Sequence, residues 1–304
     1  MNGILPLWKE RGMTSHDCVF KLRKILGTKK VGHTGTLDPA VEGVLPICVG
    51  TATRIAEYIT DSGKTYEAII AIGTATTTED AEGEVVAEDS SYKTITREAL
   101  LAVLAQLTGD IEQTPPMFSA VKVNGKRLYE YARKGIEVER PTRIVSIHEL
   151  TLLDEAVSYE GEVVTFPLRI SCGKGTYIRT LAVQIGEKLG YPAHMQSLVR
   201  TCSGTFTKEQ CFTLGDLQQL KEQAQLQTAL LPVEWALTDY PFIEMTDEEQ
   251  RAKILNGQVL PKHALLNKHD KIVFGVDGLA RAIYYAHPTK EGLMKPDKMF
   301  PVEV

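Results

Sequence analysis

Residues 29–50 read KKVGHTGTLDPAVEGVLPICVG, and in this stretch a conformationally demanding loop runs into a buried strand. Its glycines and the Asp38-Pro39 pair predict the tight loop, since glycine adopts backbone conformations closed to other residues. The apolar run over residues 44–49 predicts the strand. Asp38 has two interpretations: a turn or capping aspartate in front of Pro39, or a carboxylate held rigidly as nucleophile or base. His33 is either hydrogen-bonded to its own turn or part of an active site.

In two further segments, a glycine turn is followed by a side chain that could take part in binding or catalysis. Residues 66–72 (YEAIIAI) fit a buried strand, in which Tyr66 is either core or presents its ring and phenol to a flat ligand. Residues 171–180 (SCGKGTYIRT) lead into a helix, and Arg179 lies in its first turn, off the apolar stripe. Because a cation is unfavourable at a helix N-terminus, we expect an anionic partner for Arg179, either in an active site or among ordinary surface acids.

Residues 113–143 (QTPPMFSAVKVNGKRLYEYARKGIEVERPTR) interleave basic side chains with Phe118, Tyr129 and Tyr131. That combination is typical of segments that grip a nucleic-acid backbone and stack on its bases. The alternative interpretation is an ordinary basic helix over residues 127–134 with its tyrosines turned inward.

The net charge of −5 is distributed unevenly along the 304 residues. Residues 1–34 carry seven basic side chains against two acidic ones, and residues 122–143 carry seven against three. Two basic regions on an acidic chain suit a polyanion that contacts only part of the surface, although each region alone also fits a solvated face.

Several classes of protein are excluded by what the sequence lacks. No run approaches the ~20 apolar residues of a membrane helix, and the N-terminus does not resemble a secretion signal, so we expect a cytoplasmic protein. Five scattered cysteines without a CxxC pair argue against a disulfide framework or a zinc knuckle. Gly63-Lys64-Thr65 ends like a phosphate-binding loop, but Tyr58 stands where its first glycine is required. If the protein is an enzyme, we therefore expect it to need neither a metal nor a nucleotide cofactor.

Helical and strand periodicities alternate irregularly, which predicts an α+β fold. Helices are predicted over residues 96–107 and 178–189, the latter ending at Gly190. Residues 164–170 alternate as a half-buried strand, and Pro167 favours placing that strand at a sheet edge or a bulge.

A domain boundary is predicted near Thr238. Short strands follow it, at residues 271–274 and 281–286, with turns expected at Asn256-Gly257 and Asp277-Gly278. About sixty residues of short strands indicate a small barrel-like module.

Six separated blocks, in the same order as in the family, resemble the TruB family of tRNA pseudouridine synthases. They are GHTGTLDP (32–39), GVLPICVGTATR (43–54), KTYEA (64–68), QTPPMFSAVKVNGKRLYEYARKG (113–135), GKGTYIRTL (173–181) and LVRTCSG (198–204). The resemblance implies a pseudouridine synthase fold, with a mixed, largely antiparallel sheet flanked by helices and loops. It further implies a catalytic domain over residues 1–238, with an RNA-gripping insertion at about 113–143, and a PUA-like RNA-binding domain over 239–304.

The resemblance also implies a role for each candidate residue. Asp38 aligns with the catalytic aspartate, Tyr66 with the active-site tyrosine, and Arg179 with the arginine that pairs with the aspartate. Leu198 aligns with an apolar residue of the uracil pocket, and His33 with the histidine that fills the space left by extruded bases. The other expected substrate contacts are Lys64, Lys126, Arg127 and Arg133.

The implied reaction is isomerisation of uridine 55 in the T-loop of tRNA, with the T-arm as partner and no obligatory protein partner. Asp38 would attack C1′ of the ribose or take a proton from C2′ on the way to a glycal, and both routes stay open. Three alternative functions also stay open: a synthase acting on another RNA, an RNA-folding chaperone, and a small-molecule enzyme.

Overall fold

A nine-stranded mixed sheet forms the centre of the computed structural model, which describes residues 1–300. Its main path runs in the order β1 (Gly3–Lys9), β3 (Glu42–Val49), β14 (Ala193–Ser203), β4 (Lys64–Ile72), β13 (Val164–Cys172), β11 (Arg143–Leu152) and β8 (Gly109–Gln113); β2 (Val31–His33) pairs with β3 and β15 (Phe206–Thr207) with β14. β3 and β14 run parallel, and the other paired neighbours in this sheet run antiparallel. The α+β class and the largely antiparallel sheet are therefore confirmed.

The described part of the chain contains seven α-helices and three small ribbons in addition to this sheet, and α7 packs against the second sheet described below. The helices are α1 (Ser15–Leu26), α2 (Ala56–Asp61), α3 (Arg97–Gln106), α4 (Leu128–Ala132), α5 (Ile178–Leu189), α6 (Leu214–Glu222) and α7 (Glu248–Leu255). The ribbons pair β5 (Thr74–Thr76) with β6 (Val85–Glu88), β7 (Lys93–Thr96) with β12 (Ser158–Gly161), and β9 (Lys122–Val123) with β10 (Lys126–Arg127). None of the helices within residues 1–300 is long and apolar enough to cross a membrane.

The helix boundaries follow from local capping chemistry. Thr96 caps α3 by accepting a hydrogen bond from the Ala99 N–H, and α5 ends at Gly190 in the left-handed conformation. Both predicted helices are confirmed. α1 begins with a reciprocal capping box between Thr14 and Asp17.

The strand that carries Pro167 lies inside the sheet, and no register shift occurs at Pro167, so the predicted sheet edge or bulge is wrong. β13 pairs with β4 on one side and with β11 on the other. Pro167 is tolerated because it lies one residue beyond the last register pair with β11, Leu152 with Leu168. Its carbonyl oxygen still accepts a hydrogen bond from the Leu153 N–H. A central strand accepts proline where a neighbouring strand ends.

The central sheet is covered on both faces, which explains the continuous apolar runs. One cluster packs α1, α3, α5 and α6 against the sheet. A second cluster joins Ile4 and Val44 of the opposite face to α2 and to residues 273–300.

Residues 242–299 form a second, five-stranded sheet. Its order is β16 (Phe242–Glu244), β18 (Lys271–Val276), β19 (Leu279–Ala286), β20 (Leu293–Met299) and β17 (Leu260–Pro261). The turn at Asp277-Gly278 is confirmed, since both residues have positive φ between β18 and β19. A turn is also present at Asn256-Gly257, but it follows α7, whose C-terminus Asn256 caps, so its expected position between two strands is wrong.

Charged contacts fasten this second sheet to α2. Lys271 lies 2.6 Å from Asp297, which also accepts the hydroxyl of Tyr58, and Lys298 lies 2.7 Å from Glu57. The second sheet therefore shares both a core and a polar interface with the central one.

Candidate active site

A cavity of about 340 Å³ opens where four segments converge. These are the loop after β1, the loop after β2, the loop between β5 and β6, and the middle of β14. The cavity thus combines the carboxylates of Asp38, Asp80 and Glu82 with an apolar floor that includes Met195 and Leu198.

Asp38 and Arg179 meet at this cavity. Arg179 Nη2 lies 3.1 Å from Asp38 Oδ2, and the aspartate side chain is 44% exposed while the arginine side chain is 7% exposed. Arg179 also donates to the carbonyl oxygens of Thr78, at 3.1 Å, and Phe118, at 3.0 Å. The buried guanidinium therefore holds the open carboxylate in one orientation. Helix position alone predicted an anionic partner for Arg179, and the family resemblance implied that this partner is Asp38.

A second carboxylate, Asp80, faces the same guanidinium at 3.8 Å from Nε. Its Oδ1 accepts the Thr78 hydroxyl at 2.5 Å and the Glu82 N–H at 3.1 Å. Two carboxylates offset the unfavourable position of Arg179 in the first turn of α5. Asp80 was not predicted from the sequence. It lies in an acidic loop, and the spacing of the acidic residues there does not distinguish one that contacts a site.

Glu79 anchors that loop to α5. Its backbone has a positive φ of 62°, and its carboxylate accepts the Thr180 hydroxyl at 2.8 Å. Burial raises the pKa of Glu79, and the Thr180 hydrogen bond and the Arg179 charge act in the opposite direction.

The Asp38 loop is braced from beneath by a buried lysine. Lys9 Nζ donates to the carbonyl oxygen of Val41 at 2.6 Å and of Pro39 at 3.3 Å. Ser15 Oγ accepts the Leu37 N–H at 2.9 Å, which fixes the residue before Asp38. Burial lowers the pKa of Lys9, and the Asp38 charge acts in the opposite direction. The only sequence feature that could have indicated a supporting role for Lys9 was its position at the end of an apolar strand.

Tyr66 is buried on β4, opposite Arg200 of β14 in the strand register. Burial raises the pKa of the Tyr66 phenol, and the charge of the Arg200 guanidinium acts in the opposite direction. Arg200 is itself fully buried and donates to the carbonyl oxygens of Val44, at 2.7 Å, and Gly35, at 3.2 Å. Arg200 therefore places a buried charge beside Tyr66 and fixes the backbone on both sides of Asp38, an arrangement that no sequence pattern predicted.

Gly43 makes this arrangement possible. A Cβ at this position would lie 2.2 Å from the Arg200 carbonyl oxygen, and its φ is +135°. Only glycine lets β3 pass this close to β14.

His33 and Leu198 are placed differently, since only Leu198 is among the residues that line the cavity. Leu198 belongs to β14 and lines the cavity. His33 ends β2, where its Nδ1 accepts the Gly35 N–H at 3.4 Å, as expected for a histidine bonded to its own turn. Burial lowers the pKa of His33, so its ring is neutral near pH 7.

Lys64 is placed differently from the other expected substrate contacts. Its ammonium donates to the carbonyl oxygens of Thr60, at 2.8 Å, and Ser62, at 2.7 Å, at the C-terminal end of α2. Burial lowers the pKa of Lys64 to about 8. The charged group of Lys64 thus caps a helix, and Lys64 does not line the cavity.

The basic insertion is a hairpin followed by one short helix, rather than a helix over residues 127–134. Lys126 and Arg127 lie on β10, and Arg133 caps α4; all three are exposed. The Tyr129 ring lies 5.8 Å from the Arg127 guanidinium and 5.3 Å from that of Arg133. Tyr131 turns its hydroxyl to the Val123 carbonyl oxygen at 3.0 Å. One tyrosine therefore faces outward between two cations and the other supports the hairpin.

The site offers a carboxylate but no metal-ligand cluster. No group of three or more His, Cys, Asp or Glu side chains within residues 1–300 is arranged to hold a metal ion. A half-exposed, arginine-oriented carboxylate above an apolar floor can attack an electrophilic carbon or accept a proton.

The chain is similar to known families and curated proteins over most of its length. Residues 23–178 match the model of the TruB family pseudouridylate synthase N-terminal domain, and residues 179–238 match that of the tRNA pseudouridylate synthase B C-terminal domain. The chain is 58% identical over 301 residues to tRNA pseudouridine synthase B of Listeria welshimeri, covering 98% of each chain. It is 55% identical to the protein of the same name from Geobacillus thermodenitrificans, covering 99% of this chain and 100% of that one.

Solved structures extend the similarity to the fold. A structure of a Cbf5-Nop10-Gar1 complex matches with a TM-score of 0.72 and 28% identity, covering 98% of this chain and 84% of that one. This match confirms the predicted pseudouridine synthase fold, and its coverage supports a PUA-like second sheet. The chain therefore belongs to the TruB family of pseudouridylate synthases, and it is an isomerase.

Proposed function

We propose that the protein isomerises uridine 55 in the T-loop of tRNA to pseudouridine, with Asp38 as the catalytic carboxylate. The observation that carries the proposal is the 3.1 Å pair of Asp38 and buried Arg179 at an apolar-floored cavity, in a chain of this family. The names of the curated relatives support tRNA as the substrate. The T-loop position comes from the resemblance of the sequence blocks to the family.

The reaction exchanges one bond for another without net addition of atoms. The bond from N1 of uracil to C1′ breaks, the base turns, and a bond from C5 to C1′ forms. The C5 proton leaves to solvent and N1 gains a proton. Asp38 begins this sequence either by attacking C1′ or by accepting a proton from C2′.

Arg179 aims Asp38 and stabilises its negative charge in both routes. Its contacts to Thr78, Phe118 and Asp80 leave it little freedom, so the carboxylate is oriented before the substrate arrives.

Tyr66 and Leu198 act on the uracil. A base stacked on the Tyr66 ring gains ~1–3 kcal/mol, and the Tyr66 phenol, opposite Arg200 in the strand register, would help to remove the C5 proton. Leu198 keeps water from the detached base, so that the base is recaptured rather than lost.

The target nucleotide must leave its stack to reach this cavity, at a cost of a few kcal/mol. His33 and the exposed insertion cations Lys126, Arg127 and Arg133 offset that cost through stacking and phosphate contacts. Residues 1–238 form the catalytic domain in this proposal, and residues 239–304 form a PUA-like RNA-binding domain. The protein acts in the cytoplasm without an obligatory protein partner.

Tritium release tests both the activity and its position. A tRNA transcript made with uridine tritiated at C5 should release one equivalent of tritium with the wild-type protein. The same transcript with cytidine at position 55 should release none. Equal release from both transcripts would contradict the position, and binding without release from either would leave only an RNA-binding role.

A further inference from the structure

The solvent face of α1 carries cations that no described contact neutralises. Five exposed basic side chains occupy this helix and the turn that follows it, and we call them the α1 basic face: Lys21, Arg23, Lys24, Lys29 and Lys30. None of the five forms a salt bridge with another residue in the described range 1–300. The single acid on the helix, Asp17, is used in its capping box with Thr14.

An ordinary solvated helix face has a different character, as α7 illustrates. That helix mixes acids and bases, and Lys253 pairs with Glu249 one turn away at 2.6 Å. The chain as a whole has a net charge of −5, whereas this face has five cations and one acid, which is already hydrogen-bonded in the capping box. The local charge is therefore opposite in sign to that of the whole chain. The α1 basic face is therefore suited to an anionic partner rather than to water alone.

The helix that carries this face starts beside the candidate active site. Ser15 in its first turn binds Leu37, next to Asp38, and Gly12 lines the cavity. Lys21 Nζ lies 3.1 Å from Met13 Sδ, which places the first of the five cations near that edge. A helix of twelve residues is about 18 Å long, and the face extends away from the cavity over that distance. A nucleic-acid strand covers the same distance with about five nucleotides.

An exposed aromatic ring lies within the same face. Phe20 is 56% exposed, and Lys24 Nζ lies 4.5 Å from its ring centroid. An open aromatic surface beside a cation is a common element of RNA-binding surfaces, because it combines stacking with phosphate attraction.

We infer that the α1 basic face binds the sugar-phosphate backbone of the substrate RNA next to the flipped nucleotide, as a second contact surface separate from the basic insertion. This inference rests on the proposed function, since it takes the bound RNA to be the one whose nucleotide enters the cavity. Continuity of the face with the cavity favours RNA over an acidic protein, which would need no such alignment.

Binding measured across a salt series tests the inference with a matched control. Lys24→Gln removes a lysine from the last turn of the twelve-residue α1, and Lys188→Gln removes one from the last turn of the equally long α5. Lys24→Gln should weaken binding of the full-length protein to a tRNA transcript about 5- to 10-fold near 0.1 M salt. It should also make the slope of log K against log salt shallower by about 0.7–0.9, whereas Lys188→Gln should change neither quantity.

A triple variant, with glutamine at Lys21, Lys24 and Lys29, should reduce the slope by about 2–3. Equal thermal midpoints for the variants and the wild type establish that the comparison is made on folded protein. A triple variant that binds like Lys188→Gln at every salt concentration would overturn the inference, and so would weaker binding with an unchanged slope. Tritium release by the wild type, measured in parallel, separates the two proposals: release together with unaltered binding of the triple variant contradicts only the α1 basic face.

Discussion

Two buried cations, Arg179 and Lys64, show how the same chemical feature serves two purposes in this protein. Arg179 contacts two carboxylates at the cavity, Asp38 and Asp80. Lys64 contacts main-chain carbonyl oxygens at the end of α2. Arg179 also donates to two carbonyl oxygens, but only Arg179 contacts carboxylates and can orient them, whereas a cation that contacts only carbonyl oxygens fixes the backbone. The contrast teaches that the role of a buried base follows from its partners.

The largest effect is expected from Arg179. Arg179→Ala leaves Asp38 without its orienting partner, and we expect the single-turnover rate of tritium release to fall by about 10²–10³. Affinity for tRNA should change only a few-fold, because the guanidinium faces carboxylates and carbonyl oxygens of the protein itself. If Arg179→Ala binds tRNA normally and reacts within threefold of the wild-type rate, the claim that Arg179 and Lys64 have different roles is contradicted.

A smaller effect is expected from the insertion, which acts on binding. Replacing Lys126, Arg127 and Arg133 together by glutamine should weaken tRNA binding about 10- to 100-fold near 0.1 M salt and make the salt slope shallower by about 2–3. The control is Arg169→Gln, which removes an exposed arginine that pairs with Glu67 at 2.9 Å. Affinity equal to that of the control across the salt series would remove the insertion from the RNA interface.

The smallest catalytic effect is expected from Lys64. Lys64→Met should keep the tritium-release rate of folded protein within about threefold of wild type, because the ammonium does not reach the cavity. A rate loss as large as that of Arg179→Ala would show that the two cations are not distinct in role.

Lys64→Met should also change how the stability of the folded protein depends on pH. The pKa of Lys64 is lowered from 10.5 to about 8 in the folded protein, so the unfolded chain binds more protons between these values. The free energy of unfolding of the wild type should therefore rise relative to Lys64→Met between pH 8 and 10.5, by up to about 3 kcal/mol. Denaturant unfolding at pH 7.5 and 10 measures this difference, and parallel pH profiles for the two proteins would contradict the burial of a charged ammonium.

Local patterns predicted those parts of the fold that depend on neighbours in sequence. The caps at Thr96 and Gly190 fixed two helices, because capping is satisfied within one turn. Pro167 misled because its tolerance depends on where β11 ends, a fact of sheet register. The Asn256-Gly257 pair misled in the same way, since it closes a helix instead of joining strands.

In the candidate site, too, some residues could be predicted from the sequence and others could not. The sequence pointed to Asp38 and Arg179, which the fold brings together from positions far apart in the chain. Lys9, Asp80 and Arg200 were missed because their partners are backbone carbonyl oxygens or distant side chains, and neither leaves a spacing pattern. Residues that support a site through the backbone become visible only in the folded arrangement.

The central claim, that Asp38 is the group on which turnover depends, is tested most directly by Asp38→Asn. This variant keeps the size of the side chain but removes its charge, and the wild-type protein is the reference for both measurements. Single-turnover tritium release from tRNA should be undetectable, while affinity for the same tRNA stays within a few-fold of wild type. Multiple-turnover release from a clean preparation of the variant would contradict the assignment.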